Sequence, residues 1–428
     1  MKIIISNTVI LNGGDAAILT SIIKILQDAF GNETKFVIYD SQPEIASKYY
    51  PKLDLRQLIY LQSINSTKIR LPGRIVKWIS QIRLKSAAWC LNNKLFRLSK
   101  LFTSKIEYES LFDYKSADLI VSTGGTYLVE NYDLSPRIFD YQVCLIFGKP
   151  LIFFTQSLGP FTEFRTRHVL NSIFARSPLI LLRDCQSAKH LQEIGVEQKN
   201  LHVVADTAFA IADEQALEAA KTKSDNLPGL KIAISVRDWQ YFRTVNPAVG
   251  IERYVQALVS LTVHLVENYQ ASIVYISSCQ GITEYWKDDS KFALNILERL
   301  PDNIANSVSV NQEFHSPTAL IKILREYDLV IATRLHMAIL ALGVGIPVFP
   351  ISYEFKTKEL FSKLGQEEWM ADIENIEATS LIDSVNSFIN SVPQIRHNLI
   401  AKIRQERSSA WQASALVQKA FKQWQLDN

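Results

Sequence analysis

The segment Asp328–Ile351, DLVIATRLHMAILALGVGIPVFPI, decides the fold class of this chain. Leu329–Ala332 is an apolar run of strand length, Ile346–Pro350 is a second, and the stretch between them has the character of a short helix. Strand, helix and strand in so few residues make the unit of a parallel sheet. Thr333 stands where a helix cap belongs, because its hydroxyl can accept from backbone N–H groups that have no partner inside the helix. Gly343 and Gly345 suit the other end, where the chain turns left-handed. Arg334 and His336 thereby fall in the first turn, where free N–H groups and the helix dipole favour an anion. A fixed cation, an imidazole and a helix N-terminus at one spot predict a site for a phosphate or carboxylate. The plainer alternative pairs Arg334 with a surface acid and makes His336 a core histidine. Position favours the site, since open parallel sheets bind ligands at the carboxyl ends of their strands.

The pattern continues upstream. Lys231–Val236 reads as a strand closed by Arg237, followed by a helix over Ile251–Tyr269, a strand over Ser272–Ser277 and helices over Lys287–Leu300 and Pro317–Tyr327. Arg237 and Arg334 at one sheet edge would clamp a small, multiply charged anion in bidentate fashion. Lys356 and Lys358, just past Tyr353-Glu354, add positive charge to the border. Near the start, Lys2–Ser6 and Phe36–Tyr39 read as strands around a helix that opens at Asn12-Gly13-Gly14-Asp15. Strands at Asp118–Ser122, Leu151–Thr155, Leu179–Leu182 and His202–Ala205 each end in small or polar residues. Asn12, Asp15, Thr123, Gln156 and Ser157 are hydrogen-bonding side chains suited to a polyhydroxylated acceptor. For Asp15 and Asp184 the alternative is helix capping. His168 is a weaker candidate from the same half, with an exposed helical histidine as the alternative.

At 428 residues, with 47% hydrophobic and 21% charged residues, the chain suggests two soluble domains. We expect a first domain over 1–213, with a polar linker at Glu214–Pro228, a second over 229–395, and a helical tail, 396–428, that crosses back onto the first. Cys90, Cys144, Cys185 and Cys279 are widely spaced, which argues against zinc, iron–sulfur or a disulfide framework and fits a reducing, cytoplasmic compartment. No signal peptide and no membrane-spanning run is expected. No metal is expected, and Gly13-Gly14 lacks the spacing of a dinucleotide fingerprint.

The net charge of +3 hides an uneven distribution. Between Asp54 and Glu107 there is no acidic residue, while Arg56, Lys68, Arg70, Arg74, Lys77, Arg83, Lys85, Lys94, Arg97, Lys100 and Lys105 all fall there. Ile75, Ile79, Ile82 and Trp89 recur at helical spacing within this interval, so residues from about 60 to 106 read as a basic helical insertion. It is either packed on the domain with a solvated basic face or laid peripherally on the inner face of a membrane. No nucleic-acid-binding motif is present.

A series of short motifs resembles the polysaccharide pyruvyl transferase family in its order. It runs through Asn12, Gly14 and Asp15; Ser122, Gly124 and Gly125; Gln156–Phe161; Arg183, Asp184 and Ser187; and Asp206–Phe209. Ser235 with Arg237, Thr333–His336 and Tyr353 with Lys356 complete it. Ala16 and Phe355 depart from the family's pattern, standing where glutamate and proline are common. The resemblance implies an α/β fold of two Rossmann-like domains facing across a cleft, as in GT-B glycosyltransferases, with helices on both faces of parallel sheets. It implies transfer of the enolpyruvyl skeleton of phosphoenolpyruvate, a co-substrate rather than a cofactor, to two hydroxyls of a sugar or a lipid-linked oligosaccharide. On the donor side it implies Arg237, Thr333, Arg334, Leu335, His336 and Lys356, with His336 a candidate acid–base group. On the acceptor side it implies Asn12, Gly14, Asp15, Gly124, Gly125, Gln156 and Ser157. The alternatives are a nucleotide-sugar glycosyltransferase of the same architecture and an inactive glycan-binding relative.

Overall fold

The computed structural model describes residues 1–65, 73–222 and 229–427. Lys68 and Arg70 of the basic interval, and 223–228 of the expected linker, lie outside the described residues. The chain divides into two compact units, one of Met1–Ile10, Ile18–Ala210 and Ser409–Asn428, the other of Leu11–Ala17 and Ile211–Ser408.

The first unit is built on strands β1 (Lys2–Thr8), β2 (Lys35–Asp40), β3 (Leu55–Gln57), β4 (Leu119–Ser122), β5 (Gly125–Leu128), β6 (Leu151–Leu158), β7 (Leu179–Leu182) and β8 (Leu201–Val203). They form one sheet in the order β3-β2-β1-β4-β6-β7-β8, with β5 paired to β6. Every pairing in it is parallel. Ile3, Ile4, Ile5, Ile120 and Val121 are fully buried, as expected of strands covered on both faces, which read as continuous apolar runs. Each such side chain contributes roughly 1.5–3 kcal/mol of burial.

The second unit holds β9 (Lys231–Ser235), β10 (Ser272–Tyr275), β11 (Val308–Val310), β12 (Leu329–Ala332), β13 (Val348–Ser352) and β14 (Ala371–Asp372), in the order β11-β10-β9-β12-β13-β14 and again all parallel. The α/β class with parallel sheets is the one the periodicity predicts, and the two Rossmann-like units are those the family resemblance implies. β3, β5 and β14 are additions, too short or too polar to stand out as apolar runs.

Part of the expected linker is structured. Glu214–Ala220 is a helix capped by Asp213, and Arg404 pairs with both Glu214 and Glu218 at 2.5 Å. The final helix, Ala378–Asp427, carries Pro393 in its interior, and its residues from Ser409 on belong to the first unit. Within that unit Ser414 donates to Asp28 at 2.5 Å and Phe421 meets Phe30 edge-on. In the insertion, the helix Gly73–Asn92 buries Leu84, Ala87, Ala88 and Leu91 against the first unit's core. Of the four residues read at helical spacing, Ile75, Ile82 and Trp89 are exposed and Ile79 is half-buried, while Trp78 is exposed as well.

Candidate functional site

Register places the two arginines. β9 and β12 are neighbours with Ser235 opposite Ala332, so Arg237 and Arg334 each stand two residues past the last paired position. This is also where the strand order changes direction, with β10 and β11 to one side and β13 and β14 to the other. Such a switch point is the ordinary ligand position of an open parallel sheet.

The two cations differ in how they are held. Arg334 donates from Nε to Asp289 Oδ2 at 2.8 Å and from Nη2 to Oδ1 at 2.7 Å, and the two side chains are 11% and 2% exposed. Burial pulls the guanidinium pKa down, but the adjoining Asp289 carboxylate outweighs it and the pKa lies well above its usual value. Asp289 is itself fixed, accepting from Ser277 Oγ at 2.6 Å and donating its N–H to the Cys279 carbonyl at 2.9 Å. Arg237 has no carboxylate partner among the described residues. Its guanidinium lies over Tyr353 at 4.3 Å and Trp239 at 5.1 Å, and its Nε is buried without a hydrogen bond. The rings orient the cation through its attraction to their faces and leave its N–H groups for another acceptor. Of the two guanidiniums expected to clamp an anion together, Arg334 is thus anchored by a buried acid and Arg237 has no carboxylate partner among the described residues.

Cys279 reports how closely these charges gather. Burial pushes its thiol up to about 12, Arg334 and Arg237 oppose that, and Asp289 and Asp15 reinforce it. Four charged side chains thus lie within electrostatic reach of one buried sulfur.

Asp15 belongs here because Leu11–Ala17 groups with the second unit. The Gly13-Gly14 backbone packs tightly: a Cβ on Gly14 would fall 2.5 Å from His336 Nδ1, and one on Gly13 would fall 1.7 Å from the Ser278 carbonyl oxygen. At Gly13 the added Cβ would run into the Ser278 backbone, so glycine is required there, whereas at Gly14 it would displace the His336 ring. Asn12 caps this helix, its Oδ1 accepting from Gly14 N–H at 3.1 Å, and Asp15 lies in the first turn rather than at the cap.

The helix Leu335–Leu342 starts one residue later than its sequence suggests. Arg334 is the cap residue and makes no side-chain cap hydrogen bond. Thr333, expected as the cap, is 1% exposed and pairs through its hydroxyl with Tyr254 at 2.7 Å. Leu335 is buried and apolar, so only its backbone could meet a ligand. His336 is half-buried in the first turn. At the far end Gly345 takes the left-handed turn and Gly343 does not. Lys356 forms an ion pair with Glu354 at 2.6 Å, and Lys358 with Asp372 at 2.6 Å.

The remaining predicted residues stay in the first unit. Gly124 packs on Thr155, and Gly125 opens β5 with φ 134°. Gln156 is fully buried, donating to the Thr123 carbonyl and to Tyr127 Oη at 2.8 Å. Ser157 is committed to a structural network, donating to Asp184 at 2.6 Å and accepting from Arg183 Nε at 2.7 Å. Asp184 is a helix cap, accepting from Ser187 N–H at 2.7 Å. His168 is exposed and lines a hollow with Gln142, Leu145 and Arg176, on helical faces rather than at a strand end. Asp289 and the ring pair Trp239–Tyr353 escaped the sequence reading. Tyr353 sat inside a matched motif, whereas nothing local marks Asp289 as the partner of an arginine 45 residues away.

A model of the polysaccharide pyruvyl transferase family matches residues 12–354. The chain belongs to that family. This pyruvyl transferase family member is 26% identical over 432 residues to the amylovoran biosynthesis protein AmsJ of Erwinia amylovora, covering 98% of this chain and 100% of that one. Solved structures share its fold at low identity. A putative UDP-N-acetylglucosamine 2-epimerase from Listeria monocytogenes superposes with a TM-score of 0.59 at 12% identity, covering 99% of this chain and 97% of that one. HepE of Anabaena in complex with UDP-glucose gives 0.50 at 12%, covering 100% and 99%. Among the described residues no helix is long and apolar enough to cross a membrane, and no cluster of three or more His, Cys, Asp or Glu is placed to hold a metal.

Proposed function

We propose that this transferase moves the enolpyruvyl carbon skeleton of phosphoenolpyruvate onto two hydroxyls of one sugar in polysaccharide biosynthesis, releasing phosphate and leaving a cyclic pyruvate ketal. The observation that carries the reading is the placement of Arg237 and Arg334 in register at the switch point, one with no carboxylate partner among the described residues and one locked by Asp289. Phosphoenolpyruvate presents a carboxylate and a phosphate. The unpaired Arg237 suits one, and the remaining N–H groups of Arg334 with the uncapped turn at Leu335 suit the other.

The reaction then runs in two additions. C3 of the enol gains a proton and C2 becomes electrophilic. The first sugar hydroxyl bonds to C2 and loses its proton. The C2–O bond to phosphate breaks, the second hydroxyl bonds to C2, and the ketal closes. Of the two protons lost by the sugar, one balances that added to C3 and the other leaves with phosphate. His336 is the group suited to handle the proton at C3, because an imidazole ring carries one nitrogen that donates and one that accepts, and this ring lies against Gly14 at the start of the helix beside Arg334. Arg237 and Arg334 stabilise the departing phosphate as its charge grows.

The test is phosphate release from phosphoenolpyruvate over a panel of free sugars and lipid-linked oligosaccharides. Release that requires an acceptor and yields an acid-labile ketal is the expected result. If no acceptor supports release while a UDP- or GDP-sugar is turned over, the reading is wrong.

A further inference from the structure

The basic insertion has an apolar outer face that its own fold leaves uncovered. One face of the helix Gly73–Asn92 is buried in the first unit, and the segment after it is tied down by Glu107. That carboxylate is 1% exposed, closes a capping box with Ser104 and takes a two-point ion pair from Arg83. On the opposite face Ile75, Trp78, Ile82 and Trp89 follow one another at spacings of three, four and seven and are 45%, 65%, 45% and 57% exposed. At 100° per residue these four fall within a narrow stripe. Leu101 and Ile106, farther along the insertion, are 76% and 65% exposed. Among the described residues, eleven of the twenty large hydrophobic side chains left exposed lie between Ile75 and Phe112. Soluble surfaces scatter such side chains singly, so this concentration marks a contact surface.

Charge decides what it contacts. From Leu55 to Ile106 the sequence has no acidic residue. Lys94 and Arg97 are exposed and form no ion pair among the described residues. Lys100 is exposed and lies over the Tyr108 ring at 5.1 Å. Tryptophan and aliphatic side chains flanked by unpaired cations are what the boundary of an anionic bilayer accepts, with rings at headgroup depth and ammonium groups on lipid phosphates. A nucleic acid would use the cations but leave Ile75, Ile82, Leu101 and Ile106 facing water.

We propose that the insertion from Gly73 to Phe112 docks the chain on an anionic lipid bilayer, seating Trp78 and Trp89 at the headgroup boundary with Lys94, Arg97 and Lys100 on the phosphates. This stands apart from the pyruvyl-transfer reading, because none of these residues belongs to the site in the second unit.

The experiment is co-sedimentation of the full chain with vesicles of phosphatidylcholine, alone or mixed with phosphatidylglycerol, at low and high salt. Phosphate release is assayed in parallel without lipid on a soluble acceptor. The wild type should pellet with the mixed vesicles and leave them at high salt. Trp78→Ser with Trp89→Ser, and separately Lys94→Glu with Arg97→Glu, should each lower partitioning about tenfold or more while lipid-free phosphate release is unchanged. Three results would overturn the proposal. The wild type could stay in the supernatant with mixed vesicles, or both double variants could pellet as it does. Alternatively, it could form a concentration-dependent oligomer that the tryptophan variant disperses, which would assign the face to a second copy of the chain. The charge-reversal pair keeps the test decisive if the tryptophan pair unfolds the insertion.

Discussion

Asp289 grips Arg334 at two points, Oδ2 to Nε at 2.8 Å and Oδ1 to Nη2 at 2.7 Å, in a setting where the carboxylate is 2% exposed. A buried pair of this kind contributes little net stability compared with apolar residues, but breaking it leaves an uncompensated buried charge. The pair's value is geometric, because it points the guanidinium at the end of β12.

Asp289→Ala is therefore expected to destabilise the second unit by about 3–5 kcal/mol, read as a lowered denaturation midpoint. Arg334→Lys keeps the charge but loses the planar fork, so phosphate release should fall more than stability does. Equal loss in both measurements would reduce Arg334 to a structural role.

Arg237 is expected to behave in the opposite way. Among the described residues no ion pair is broken on its removal, so Arg237→Met should leave the melting temperature nearly unchanged. KM for phosphoenolpyruvate should rise about 10- to 100-fold, the range for losing a hydrogen bond to a charged group. Steady-state kinetics at saturating acceptor check it.

Gly14→Ala is expected to push the His336 ring aside, since the new Cβ would fall 2.5 Å from Nδ1. A displacement on the order of 1 Å lowers kcat by about 100-fold when it misplaces a reacting group. Binding of phosphoenolpyruvate should survive. A kcat within twofold of wild type would remove His336 from the proton-transfer step.

Asp140 sets a pH dependence of stability in the first unit. It is 1% exposed, and burial raises its carboxyl from 3.8 to about 7 against the opposing Tyr60 N–H, Arg137 and Ser6. Between about pH 4 and pH 7 the folded state binds the proton more tightly than the unfolded one. This contribution is thus full below pH 4, falls as pH rises through 7, and amounts to about 4 kcal/mol. Asp140→Asn should flatten that slope and raise the melting temperature at pH 8. Thermal melts of both proteins from pH 4 to 8 measure it.

The alternation of apolar runs with helical segments was sufficient to read the α/β class, because fully buried parallel strands leave an unbroken apolar signature such as Ile3–Ile5 or Leu329–Ala332. Arg237 and Arg334 were legible for the same reason, as each follows such a run. Three things depended on the folded chain. Thr333 lost its expected capping position to Arg334, and the capping alternative weighed for Asp15 fell to Asn12, because a cap is set by backbone angles at the helix start and not by residue type alone. Asn12–Asp15 joined the second unit, and Asp289 joined Arg334, through packing between residues far apart in the chain, which leaves no local pattern. The insertion's helical period was visible in the order of its residues. Which of its faces met the core and which met solvent was decided by the burial of Leu84, Ala87, Ala88 and Leu91, since an amphipathic helix flanked by cations is compatible with either until a core is there to cover one side.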